Sequence, residues 1–364
     1  MKCLDNLSRI SYQPELVMEL IELYHNKGKD FYYENIFKNE MNSIIKSTVE
    51  KDTFYAAKYL DLSITQARMK AIIKRDSQPK TKDEQILSNL KGVFSTIQAD
   101  PEKIELTSNE FIKMAYQVFK GVKSVDYKTF EVSEKQGILY DKKRVSIRNE
   151  VDKELSLYRR CLNEHELEIT QLITNFYIDI VNNNIYTSDN EFLDLLILYC
   201  LLFRERFFIF KYCSFFEIIF ENKNEFYQAV SAANYNYSEG FAKTMPLNEL
   251  IIKYLISAYE TLKGKAQSHT DDKKLTKLEN IASLIMTLPD TFTKEDIKKK
   301  YPTISDSTIQ RALKQLKDQG KIRPNGTGRS ATWNKIVENE FFNSKVRQMS
   351  LFELTLGSDD LKEE

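Results

Sequence analysis

The chain has 364 residues, carries 53 Lys and Arg against 53 Asp and Glu, and is 42% hydrophobic. That length supports two or three domains with substantial cores. The zero net charge excludes a globally basic nucleic-acid binder, so any basic surface has to be local.

The four cysteines, Cys3, Cys161, Cys200 and Cys213, have no CxxC spacing, and the last two lie in apolar surroundings. They read as buried free thiols rather than disulfides or zinc ligands, which suits a cytoplasmic protein. The first residues lack a secretory apolar core. The most apolar run, 192–203, contains Asp194 and meets Arg204, Glu205 and Arg206, so it is too short and too charged to cross a bilayer and no membrane association is expected.

Glycine is absent between Gly137 and Gly240 and proline is absent from 102 through 245, a pattern of long helices with few tight turns. In chain order, helices are predicted over 14–24, 30–57, 63–75, 82–96 and 108–119. Thr81 or Lys82 precedes an acidic first turn, and Ser108 supplies a capping hydroxyl. The runs 128–133 and 138–145 read as one β-hairpin around Glu-Lys-Gln-Gly. Helix resumes over 149–162 and 165–181, where Leu167, Leu172, Ile173 and Phe176 form an apolar stripe. Further helices are predicted over 192–206, 212–222, 224–232 and 247–264.

The composition changes after Gly264. Residues 265–276 are polar and read as a linker. Beyond it, 277–288 and 294–300 are short helices, and 301–305 is a turn ending in an N-cap serine. Residues 306–318 carry Ile309, Ala312, Leu313 and Leu316 on one face, with Gly320 placed to end the helix in a left-handed conformation. The runs 321–323 and 330–334 flank a glycine-rich hairpin, which gives the order of a winged helix. From 271 to 336 there are fourteen Lys and Arg against eight Asp and Glu, the local charge that the whole chain lacks. In a major groove, exposed Ser307, Thr308, Gln310, Arg311 and Lys314 would face bases and phosphates, with Arg329 on the wing reaching the backbone or minor groove.

Several segments, in order, carry a resemblance to a known family. They are Ile-Ile-Lys-Ser-Thr-Val-Glu at 44–50, Lys-Thr-Lys-Asp-Glu-Gln-Ile-Leu at 80–87, the hairpin at 128–145, the helix at 169–181, and the run 211–219 followed by 225–233 and 237–240. Together they resemble the Fic (Fido) protein adenylyltransferases over roughly 40 to 336. The resemblance implies a mainly α fold: a Fic/Fido-like helical domain with a β-hairpin flap, plus a C-terminal winged-helix domain. The implied boundaries are 1–100, 101–264, 265–276, 277–336 and an acidic tail at 337–364.

The family's activity motif is HPFxDGNGRxxR. In it a His takes the target's proton, an acidic residue holds magnesium, a Gly-flanked loop cradles phosphates, and two Arg neutralise them. Aligned without gaps, the His falls on Asn184, the Phe on Tyr186, the acid on Ser188, the glycines on Asp189 and Glu191, and the arginines on Phe192 and Leu195. Only Asn190 is identical. Two carboxylates at the glycine positions would repel a triphosphate. Glu50 resembles the regulatory-helix glutamate, but its arginine partner position is Leu195. A divalent cation between Asp189, Glu191 and Asn190 is the alternative use of this loop. His25, His165 and His269 read as helix-face residues.

In the tail, Gln348, Leu351 and Phe352 belong to Gln-Met-Ser-Leu-Phe, which resembles the bacterial sliding-clamp-binding pentapeptide. The alternative is that these apolar residues pack on the chain's own core. The reading as a whole is a degenerate Fic protein that needs no cofactor and binds DNA or a protein partner through its winged helix, the flap hairpin or the tail. The alternative is an active transferase using ATP and magnesium at a divergent site.

Overall fold

The computed structural model describes residues 3–4, 12–136, 139–164, 167–274, 277–301, 304–326 and 331–336. His165, Arg329 and the pentapeptide with Gln348, Leu351 and Phe352 lie outside the described residues. The chain divides into two compact units, Met1–Gln267 and Ser268–Glu364.

The first unit opens with α1 (Pro14–Lys27), α2 (Asp30–Phe37), α3 (Met41–Tyr59), α4 (Gln66–Arg75), α5 (Lys82–Ala99) and α6 (Ser108–Phe119). Capping fixes several of the starts. Thr65, Thr81 and Thr107 each accept a hydrogen bond from the backbone N–H three residues on. The cap of α6 is therefore Thr107 and not Ser108. The single helix expected over 30–57 is instead α2 and α3, separated at 38–40.

The strands β1 (Thr129–Gln136) and β2 (Leu139–Ser146) pair antiparallel, Thr129 against Ser146 and Gln136 against Leu139. β1 is thus longer than the sequence suggested. Then come α7 (Arg148–Glu164), α8 (Ile169–Asn183), α9 (Asn190–Arg204), α10 (Phe215–Glu221), α11 (Lys223–Asn234) and α12 (Met245–Lys274). The polar run 265–274, expected to be a linker, is helical.

α9 is the centre of this unit. Every residue from Phe192 to Phe203 is buried, as a helix that is apolar on all sides requires. Beside it, α8 is buried from Thr170 to Ile180. Its polar residues there are satisfied. Thr174 donates to Asn248 Oδ1 at 3.1 Å, Asn248 Nδ2 donates to Gln171 Oε1 at 3.1 Å, and Thr244 donates to Asn175 Oδ1 at 3.1 Å. A satisfied buried network of this kind fixes the register of α12 on α8. Among the thiols, Cys3, Cys161 and Cys200 are buried, Cys213 is half-buried, and all four are free.

The second unit contains α13 (Lys277–Thr287), β3 (Thr291–Phe292), α14 (Lys294–Lys300), α15 (Asp306–Asp318), β4 (Ile322–Asn325) and β5 (Thr332–Lys335), with sheet order β3-β5-β4. Its own core is Ile281, Ile285, Phe292, Ile297, Ile309, Leu313, Leu316 and Ile322. Thr293 and Asp296 form a reciprocal capping box at α14. Ser305 caps α15, and Gly320 takes a φ of +72° at its end. Lys335 Nζ donates to the carbonyls of Met286 and Leu288, satisfying the C-terminal end of α13. Among the described residues, no helix is long and apolar enough to cross a membrane.

Candidate functional site

The loop between α8 and α9 spans 184–189 and is set by two left-handed residues, Asn184 at φ +44° and Asp189 at φ +56°. Asn190 closes it from within. Its Oδ1 accepts from the Tyr186 N–H and its Nδ2 donates to the Tyr186 carbonyl, both at 2.8 Å. One side chain thus satisfies both backbone groups of a single residue, a structural reason for Asn at this position that involves no chemistry.

The outer side of the loop is stitched to the segment that leads into the hairpin. Lys128 N–H donates to the Ile185 carbonyl at 2.9 Å, Thr187 N–H to the Asp126 carbonyl at 2.9 Å, and Asp126 N–H to Thr187 Oγ1 at 3.1 Å. Tyr127 and Tyr186 stack with ring centroids 5.8 Å apart and planes 9° apart. Lys123 Nζ donates to Asp189 and lies 4.4 Å from the Phe119 ring centroid. The two carboxylates that the ungapped alignment sets against the motif's glycines are both engaged: Asp189 with Lys123, and Glu191 with the Tyr59 hydroxyl of α3 at 2.7 Å. Tyr59 also meets Tyr227 Oη, and Lys223 Nζ lies 4.8 Å from the Tyr59 ring centroid.

The inner side is apolar. Phe192 is 1% exposed, packed against Tyr59 at 6.3 Å and Phe216 at 5.6 Å, and Leu195 is fully buried. Asp194 is the exception. It is buried with Oδ1 unpartnered, and burial pushes its carboxyl well above the usual range despite the nearby charge of Lys128. The Ser188 hydroxyl oxygen is also buried without a partner. Among the described residues, no group of three or more His, Cys, Asp or Glu is arranged to hold a metal ion.

Glu50 lies on a different face. It lines a concavity of about 260 Å³ with Ser47, Lys51, Phe54, Lys70, Ile73 and Lys74, between α3 and α4. The α3 acid that reaches the core is Asp52. It accepts from the Ser214 hydroxyl at 2.6 Å, the Phe216 N–H at 3.1 Å and the Tyr199 hydroxyl at 3.2 Å. Burial still raises its carboxyl to about 7. The sequence reading missed Asp52, Tyr59 and Lys123, because each comes from an element remote in sequence from the loop. The one signal available was an acid two residues beyond Glu50, on the apolar stripe of α3. His25 is exposed on α1 and His269 is half-buried in α12.

The second unit offers a different surface. On α15, Ser307, Gln310, Arg311 and Lys314 are exposed, at spacings that put them on one face. Among the described residues, neither Arg311 nor Lys314 has an acidic partner. Thr308 is half-buried, and its hydroxyl is hydrogen-bonded to Ser305 at 2.8 Å, so it belongs to the cap of the helix. Lys298 pairs with Asp306 at 2.7 Å beside that cap.

The sequence matches no family model and no curated protein. Solved structures do resemble the fold. A Fic family protein from Desulfovibrio desulfuricans G20 superposes with a TM-score of 0.57 at 12% identity, covering 91% of this chain and 98% of that one. A Fic domain containing signaling protein from Bacteroides thetaiotaomicron VPI-5482 superposes with a TM-score of 0.52 at 11% identity, over 69% of this chain and 98% of that one. Identities this low speak to the fold alone, and on that evidence this mainly helical chain has the Fic/Fido fold.

Proposed function

We propose that this chain is a non-catalytic, cytoplasmic Fic-fold protein whose second unit is a winged helix that binds duplex DNA. The observation that carries the first half is the burial of Phe192 and Leu195, the residues that the ungapped alignment sets against the two arginines of the Fic motif. A nucleotide needs cations and free backbone N–H groups at that place. Here the inner wall is hydrocarbon, and the loop's own acids are tied to Lys123 and Tyr59. ATP with magnesium does not fit these residues.

The second half rests on the exposed face of α15. A helix presenting Gln310, Arg311 and Lys314 with no internal ion pair suits the major groove, where phosphate contacts position the helix and base-edge contacts specify the site. Further cations, Lys317, Lys321 and Arg323, are exposed at the end of α15 and on β4.

The test is fluorescence anisotropy of the full chain with labelled duplexes over a salt series. Affinity is expected to fall steeply as salt rises, through release of phosphate counterions. Arg311→Ala should cost about 1–3 kcal/mol on the preferred sequence, whereas Arg329→Ala should weaken all sequences alike. Absence of binding to any duplex at low salt would overturn the DNA reading and leave the second unit as a protein-docking module.

A further inference from the structure

The first unit carries an apolar face that its core does not use. Leu16 and Leu23 of α1 and Tyr33 and Phe37 of α2 are buried in the core and hold both helices down. Two further contacts fix α1, from Tyr24 Oη to Glu168 at 2.6 Å and from Lys27 Nζ to the Glu205 carbonyl at 2.8 Å. Asp30 of α2 accepts from Tyr259 Oη at 3.0 Å. The outward side of these anchored helices nevertheless shows Val17 at 41% exposure, Met18 at 65%, Ile21 at 58%, Phe31 at 76% and Tyr32 at 57%. Met18, Ile21 and His25 follow one another at helical spacing along α1, and Phe31 and Tyr32 open α2 just past the bend at Gly28. Single exposed apolar residues are ordinary on a soluble surface, but five within sixteen positions of two fixed helices mark a contact surface.

The chemistry around these residues selects the occupant. Glu15 and Glu22 are exposed and Glu19 is half-buried on the same helix, and among the described residues none of the three has a basic partner. A second copy docking through the same patch would set these glutamates against one another across a two-fold axis. At such exposures five large side chains offer roughly 600 Å² of contact, given about 200 Å² for a large side chain. A standard interface needs about 800 Å² from each side. An anionic lipid surface would meet the same repulsion. A single helix from another protein, with an apolar stripe flanked by lysines or arginines, matches both the size and the charge.

The geometry points to α1 and the start of α2 as a docking face for a basic amphipathic helix of a partner protein, anchored by Met18, Ile21 and Phe31. This face belongs to the first unit and does not depend on whether the second unit binds DNA.

The test uses the full chain and two labelled helical peptides that share a leucine stripe at heptad spacing, one flanked by lysine and its twin by glutamate. Titration by anisotropy should give saturable binding of the lysine peptide, with affinity at least 10-fold above that of the glutamate twin. Met18→Ser and Phe31→Ser replace exposed side chains, so the far-UV circular dichroism should not change, and each should weaken the lysine peptide at least 10-fold. Glu15→Lys with Glu22→Lys should narrow the gap between the peptides. Equal binding of the two peptides, or no loss on Met18→Ser and Phe31→Ser, overturns the proposal. A dimer in sedimentation equilibrium that Met18→Lys dissociates, or binding to phosphatidylserine vesicles that Met18→Ser abolishes, assigns the face to another occupant and overturns it as well.

Discussion

Placing an arginine back at position 195 probes whether the Fic nucleotide pocket has become core. Leu195 is fully buried on α9, one turn from Phe192 at 1% exposure and from Tyr199 at 0%. Leu195→Arg gives up the burial of a leucine side chain, about 2–3 kcal/mol, and forces a longer side chain into packed space, about 1–3 kcal/mol. It also strands a guanidinium in the interior at several kcal/mol. Neither nearby acid relieves that charge. Asp194 is the preceding residue and points to another face of the helix, while Asp52, which meets Tyr199 one turn on, already accepts from three donors. The sum exceeds about 5 kcal/mol and is comparable to the whole stability of an ordinary domain. Urea denaturation followed by circular dichroism should find the variant unfolded or with its midpoint collapsed, while Leu195→Met stays within about 1.5 kcal/mol of the parent. A Leu195→Arg protein that melts with the parent would refute the reasoning, because the position would then line an open pocket.

Asn190→Ala removes both hydrogen bonds to the Tyr186 backbone and should cost about 1–3 kcal/mol in the same denaturation assay; no change would mean that the loop is held by its contacts with 126–128 alone. Asp194→Leu should leave stability unchanged or raise it, since an acid with an unpartnered buried oxygen is replaced by hydrocarbon, and a loss above about 2 kcal/mol would reveal a partner. The Asp52 carboxyl is raised to about 7 in the folded chain, against about 3.9 when unfolded. Between those values only the unfolded chain sheds the proton, so stability is full below about pH 4 and falls until about pH 7, by about 4 kcal/mol in total. Asp52→Asn should flatten the melting temperature between pH 4.5 and 7 relative to the parent, and parallel profiles would refute this.

The order of helices was legible because apolar periodicity and capping residues are local signals. α6, α14 and α15 have the bounds that the sequence implied. The break between α2 and α3 was not legible, because Lys38, Asn39 and Glu40 include neither Gly nor Pro. The two-residue strand β3 is defined only by its pairing with Asn334 and Trp333, and so small an element has no periodicity to read. Residues 265–274 looked like a linker because they are polar, yet a polar run without Gly or Pro can extend a helix already started by Leu247, Ile251 and Leu255.

In the candidate site, counting along the chain placed Asp189, Glu191 and Phe192 against the Fic motif, but their bonding and packing are with Lys123 and Tyr59, and Thr187 of the same loop bonds Asp126. Those contacts cross between elements, and no local pattern announces them. The α15 face was legible because it lies on one amphipathic helix, except for Thr308, whose hydroxyl is committed to the cap.

The central claim is that a Fic-fold chain persists here without AMP transfer. The most direct measurement incubates the purified full chain with magnesium and ATP labelled at its α-phosphate, alone and with lysate, and follows the label on protein. The account predicts no label on the chain or on any target at any magnesium concentration. Magnesium-dependent label that appears with the parent and is absent with Leu195→Met or Asn190→Ala protein, each shown to be folded, would contradict it.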